Sequence, residues 1–186
     1  MRWLYSIMIL CMLAVCAAFF VGPNPAIAAS AAEIDRDAQS ALQKLYAKSA
    51  KAKELSEKAV AVLVFPDITK GGFIVGGQYG EGALIRDGKI VAYYNTVQLS
   101  YGLQAGIQRY GYALFLMTES MLGYLDKSGG FELGTGPTIA VMDKGAATGI
   151  STTSAQSDAY AFFFDQKGLM AGIGLQGTKI TKINKK

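Results

Sequence analysis

Between Phe65 and Gly82 the chain reads F-P-D-I-T-K-G-G-F-I-V-G-G-Q-Y-G-E-G, with glycines at 71, 72, 76, 77, 80 and 82. Its apolar residues have strand character, yet glycine inside a strand costs backbone entropy and removes a packing side chain. A strand that keeps so many glycines must bulge, curve sharply, or receive another backbone or a ligand at close range. The same stretch holds a Phe-Pro pair that reads as a strand stop and one lysine, Lys70.

The glycines do not form a nucleotide loop. A phosphate-binding P-loop needs Gly, four residues, then Gly-Lys-Ser/Thr, and no segment supplies that order. Gly77 to Gly82 is no dinucleotide fingerprint, because no helical pattern follows it. The chain has no histidine, which removes the usual general base and the commonest metal ligand. No Gly-x-Ser-x-Gly elbow is present. The acids Asp67, Glu81, Glu119, Asp126, Asp143 and Asp165 sit mostly where turns or helix starts prefer them. A pair of carboxylates acting across a substrate leaves no mark in sequence and stays open. The expectation is a protein that is not an enzyme, with no cofactor, no catalytic residue and no metal ligand.

The N-terminus has its own logic. Arg2 precedes an almost wholly apolar stretch from Leu4 to Val21, followed by Pro23, Pro25 and Ala26-Ile27-Ala28. This is the layout of a secretory signal peptide over 1–28, cleaved to leave a domain over 29–186. A single membrane anchor is the alternative, since the stretch approaches spanning length. Both cysteines, Cys11 and Cys16, fall inside it. Cleavage would leave no thiol for a disulfide or a metal. Cys16 is a poor lipidation site, because Val15 precedes it and apolar residues follow. The net charge of +4 becomes +3 without Arg2, which suits anionic surfaces and does not demand nucleic acid.

From Ala31 to about Ala59 apolar residues recur at three- and four-residue steps, through Ile34, Ala38, Ala41, Leu42, Leu45, Ala52 and Leu55. This predicts one amphipathic helix, capped by Ser30 with Glu33 as its reciprocal partner. Its polar face is rich in lysine, with Lys44, Lys48, Lys51, Lys53 and Lys58 against Glu54 and Glu57. The stripe can dock on a core, or the helix can lie on a membrane.

The remainder reads as strands. Ala59–Phe65 is a buried strand, Phe73–Leu84 a second, and Asp87-Gly88 a hairpin turn before Ile90–Tyr94. Val97–Tyr110 alternates strictly, with Leu99 and Ile107 on one face and Gln98, Ser100, Gln104 and Gln108 on the other. Such a period predicts a half-buried strand with a polar outer face. Tyr112–Met117 follows, then a short central helix from Thr118-Glu119 to Leu125. Further strands are expected over Gly134–Met142, Thr148–Thr153, Ala159–Phe164 and Leu169–Gln176. A hairpin loop is expected at Asp165–Gly168, and a lysine-protected edge strand at Thr178–Ile183. The fold class is α+β: a strongly curved antiparallel, barrel-like sheet of short strands, with an N-terminal amphipathic helix and a short central helix.

Several motifs together resemble the SYLF family of lipid-binding domains. They are V-L-V-F-P-D-I-T-K-G-G-F-I-V-G-G-Q-Y-G-E-G-A-L, Y-Y-N-T-V-Q-L-S-Y-G-L-Q-A-G-I-Q, L-F-L-M-T-E-S-M-L and G-L-M-A-G-I-G-L-Q-G-T-K-I-T-K-I. The resemblance spans the chain from about Ala31 and is to the stand-alone, exported bacterial form. It implies binding and not catalysis. Eukaryotic relatives bind phosphoinositides, and some bind or bundle actin, through basic residues and an N-terminal amphipathic helix. Lys70 is the basic residue that falls within a shared motif. Lys44, Lys48, Lys51, Lys53 and Lys58 correspond by region and not residue by residue.

The expected function is an exported, periplasmic or secreted, lipid-binding protein that associates peripherally with anionic phospholipid. The expected lipid-binding residues are Lys70, Lys44, Lys48, Lys51 and Lys58. An exported chain would not ordinarily meet actin. The rival is an envelope structural or partner-binding module that docks a protein on the polar face of Ser100, Gln104 and Gln108.

Overall fold

A computed structural model describes residues 29–127, 131–132, 137–142, 157–168 and 177–185. The predicted signal peptide and the predicted strands Thr148–Thr153 and Leu169–Gln176 lie outside the described residues.

Two helices replace the single predicted one: α1 (Ala31–Lys48) and α2 (Ala50–Lys58). The capping box forms as expected, with the Glu33 N–H donating to Ser30 Oγ at 3.3 Å and the Ser30 N–H donating to the Glu33 carboxylate at 2.8 Å. The break falls at Ser49. Its N–H donates to the Leu45 carbonyl at 2.9 Å and closes α1, while its Oγ accepts from the Ala52 N–H at 3.1 Å and opens α2. A serine hydroxyl competes with the helical ladder in this way, and period alone does not register it.

The helices bury their apolar stripe, Ile34, Ala38, Ala41, Leu42, Leu45, Ala52 and Leu55, on one face of the sheet. There they meet Val62, Val64, Ala83, Ala113, Phe115 and Phe162. Each large aliphatic side chain buried this way contributes roughly 1.5–3 kcal/mol.

The strands between the helices are longer than expected. β1 (Ala61–Arg86) and β2 (Lys89–Leu116) form one hairpin, paired from Arg86↔Lys89 back to Ala61↔Leu116. Asp87 and Gly88 make the predicted turn, with φ of 51° and 73° as a two-residue hairpin loop requires. Pro66 does not end the strand. Pairing passes from Phe65↔Tyr112 to Ile68↔Tyr110, so Pro66 and Asp67 sit in a bulge where a missing N–H does no harm.

α3 (Glu119–Leu125) is capped by Thr118, whose Oγ1 accepts from the Met121 N–H at 3.1 Å. Four more strands are described: β3 (Phe131–Glu132), β4 (Ile139–Met142), β5 (Ala159–Gly168) and β6 (Lys179–Ile183). Among the described residues the sheet runs β3-β6-β2-β5-β4, with β1 on β2, and it is curved without closing into a barrel. It is mixed, since β4 and β5 run parallel and the other pairs antiparallel. The loop expected at Asp165–Gly168 is instead a bulge inside β5, with Asp165 at φ 50°.

The hairpin folds over on itself. A methyl group at Gly80 would stand 2.7 Å from Ile68 Cγ1 and 2.9 Å from the Asp67 carbonyl oxygen. One at Gly82 would collide with the Val64 carbonyl and the Phe65 ring. The late part of β1 therefore rests directly on its early part, which is the close approach its glycines foretold. Inside this fold lies a second core, built from Leu63, Phe65, Ile68, Tyr94, Tyr112 and Leu114 with Met121 and Leu125 of α3.

Candidate functional site

The helix pair presents its lysines to solvent. Lys44, Lys48, Lys53 and Lys58 are exposed and Lys51 is half-buried. Glu54 accepts from Lys51 Nζ at 2.9 Å and from Lys58 Nζ at 2.9 Å. The bond from Lys58, then that from Lys51, hold its carboxyl down at about 2. Lys48 Nζ reaches Asp165 at 3.0 Å and pins the end of α1 to the bulge of β5. The apolar stripe of these helices is spent on the core, so the folded helix pair offers charge to a surface and no apolar face.

Lys70 is placed differently from the surface turn expected of it. It lies within β1, opposite Gln108 in register, and is only 6% exposed. The Pro66–Asp67 bulge explains this by resetting the alternation, so that Asp67 and Thr69 are exposed while Ile68 and Lys70 are buried. Gln78, Thr96 and Gln108 are buried with it as polar residues. The Tyr110 hydroxyl donates to Gln78 Oε1, and the Tyr112 hydroxyl donates to Thr96 Oγ1 at 2.9 Å. Burial pushes Tyr110 up to about 12 and Tyr112 higher still. Lys70 thus belongs to a buried polar layer between the two halves of the hairpin.

At its described ends, 97–99 and 106–110, the alternation of Val97–Tyr110 is inverted. Gln108 is 5% exposed and Thr96 is buried, whereas Leu99 is 68% and Ile107 70% exposed. The polar face expected outside turns inward at Gln108; the side chains of Ser100 and Gln104 lie outside the described part. Leu99 lies over Gly77 and Ile107 over Gly71, each 3.8 Å from where a β-carbon would stand. Leu99, with Tyr79 and Val97, borders an open groove of about 790 Å³, also lined by Gly71, Ala29, Ile34, Asp67 and Arg109. Arg109 Nη2 is 2.6 Å from the Asp67 carboxylate, and Lys167 pairs with Arg109 in register.

Two of the C-terminal lysines expected to guard a strand edge do other work. Lys182 Nζ reaches Asp126 at 2.7 Å and holds that carboxyl below its usual range. Lys185 Nζ is 2.8 Å from Glu81 and 3.0 Å from the Ala29 carbonyl oxygen, with both side chains of the ion pair nearly buried. Nothing local in the sequence signals this pair, whose members lie 104 residues apart.

Among the described residues no group of acidic side chains could hold a metal ion, and no helix is long and apolar enough to cross a membrane. Residues 97–186 match the family model described as Ysc84, Las17-binding protein actin regulator. No curated protein matches the chain. The matched region runs from β2 at Val97 through α3 to the C-terminus, and the SYLF domain family is associated with lipid binding. With the motifs of β1 and β2, this match over 97–186 is consistent with a SYLF-domain family member.

Proposed function

We propose that this chain is an exported lipid-binding protein that adsorbs peripherally to anionic phospholipid and catalyses nothing. The observation that carries this reading is the lysine-rich outer flank of α1 and α2, held in place by an apolar stripe locked in the core. Lys44, Lys48, Lys51 and Lys58, with Lys53, form the contact. Lys70 is buried and is left out of it. Each lysine near an anionic surface adds about 1 kcal/mol, opposed here by Glu54 and Glu57. Such binding is reversible and weakens as salt screens it. The family's description as an actin regulator concerns Las17 and actin, and an exported chain has no access to either. The rival docking surface on the polar strand face finds no support at Gln108, which is buried.

Sedimentation with phosphatidylcholine vesicles, with and without phosphatidylglycerol, at low and high salt, tests the reading. Binding should require phosphatidylglycerol and fall at high salt. Alanine at Lys44, Lys48 and Lys53 together should abolish most of it. Binding indifferent to lipid charge would overturn the proposal.

A further inference from the structure

Resting on that reading, we propose that the uncovered face of the β1–β2 hairpin, carried by Leu99 and Ile107, inserts between the lipids of the bound membrane. The helix pair covers only part of one sheet face, at Val62, Val64, Ala83, Ala113 and Phe115. The alternation of the strands places Thr69, Gly71, Gly77, Tyr79, Val97, Leu99, Ile107 and Arg109 on that same face, beyond the helices. Leu99 and Ile107 are the two most exposed large apolar side chains described, and Tyr79 and Val97 extend their patch. An uncovered sheet face bearing such exposed apolar side chains on a small domain marks a contact surface.

The borders of the patch favour a lipid surface over a protein. Its rim is charge-paired, with Lys167 in register with Arg109 and Lys48 beside them on Asp165. The carboxylates on this side already hold cations, Asp67 with Arg109, Asp165 with Lys48, Asp37 with Arg36 and Glu81 with Lys185. Tyr79 stands at the edge, half exposed, with its hydroxyl donating to Glu81 at 2.8 Å, an apolar ring with a polar end, as suits a membrane interface. Gly71 and Gly77 keep the shelf flat, since Ile107 and Leu99 lie over them. The lysines of α1 and the apolar shelf lie on one side of the sheet, so a single orientation serves adsorption and insertion.

The only tryptophan of the chain is Trp3, so a tryptophan placed on the shelf reports alone once Trp3→Phe is made. In that background, Leu99→Trp is compared with Val141→Trp, which is exposed on β4 on the opposite sheet face. The probe is a vesicle of phosphatidylglycerol and phosphatidylcholine with chains brominated near the glycerol. Emission of Leu99→Trp should shift to the blue and be quenched at least twofold by the brominated chains, with no change for Val141→Trp. The paired change Leu99→Asp and Ile107→Asp should remove the salt-resistant part of sedimentation and spare the salt-sensitive part. Sedimentation on anionic vesicles with no quenching at Leu99→Trp would overturn insertion and leave adsorption standing. No sedimentation at all would overturn both. A dimer in solution that Leu99→Asp dissolves, with vesicle binding unchanged, would assign the shelf to a second copy and overturn insertion as well.

Discussion

Gly82 lies against the main-chain carbonyl of Val64, a residue of its own strand. The hairpin folds over at this contact, and no side chain can shift to make room, because the obstacle is backbone. Gly82→Ala should cost about 3 kcal/mol in urea unfolding or prevent folding outright. Gly71→Ala, with only ordinary contacts around the added methyl, should change stability by less than about 0.5 kcal/mol. Equal effects at the two positions would contradict the fold-over.

The Lys185–Glu81 pair ties the C-terminus to β1 and, through the Ala29 carbonyl, to the start of α1. Removing one partner leaves a charge nearly buried and uncompensated. Lys185→Ala should lose about 3 kcal/mol in chemical denaturation. Combining Lys185→Met with Glu81→Gln should recover part of that loss, because no lone charge then remains.

Burial raises Tyr110 to about 12, above its ordinary value near 10, and moves Tyr94 and Tyr112 in the same direction. The folded state holds these phenol protons more tightly than the unfolded chain does. Their contribution is complete below pH 10 and declines as pH rises from 10 towards 12. Urea unfolding at pH 7, 9 and 10.5 should show stability level between the first two and falling at the third. Tyr110→Phe should be less stable at pH 7 by about 1–3 kcal/mol, since Gln78 loses its donor in the buried layer. Its alkaline decline should be shallower by up to about 1.4 kcal/mol per pH unit.

Glu54 occupies two lysines of the proposed contact at once. Glu54→Gln removes that carboxylate and leaves Lys51 and Lys58 to the lipid phosphates. Binding to phosphatidylglycerol vesicles should tighten about fivefold at low salt, the equivalent of about one charge, and the gain should vanish at high salt. Weaker binding in this variant would mean that Glu54 positions the lysines instead of competing for them.

Local chemistry was written plainly in the sequence. Ser30 with Glu33, Thr118 before Glu119 and Asp87-Gly88 each act within a few residues, and each forms the cap or turn its residue types require. The α+β class and the apolar stripe of the N-terminal helices follow from period, which is also local. The glycines of Phe65–Gly82 announced a close approach, and Gly80 and Gly82 make it. What period could not say is which face of a strand lies inside. A period of two separates Leu99 and Ile107 from Gln108 but leaves inside and outside equivalent until something covers one face. Only the fold-over decides this: it closes the hairpin upon Gln108, Thr96 and Lys70 and leaves Leu99 and Ile107 beyond the reach of the helices. The same distance in sequence hides the pairing of Lys185 with Glu81, which exists only because the curved sheet brings the end of the chain back to β1.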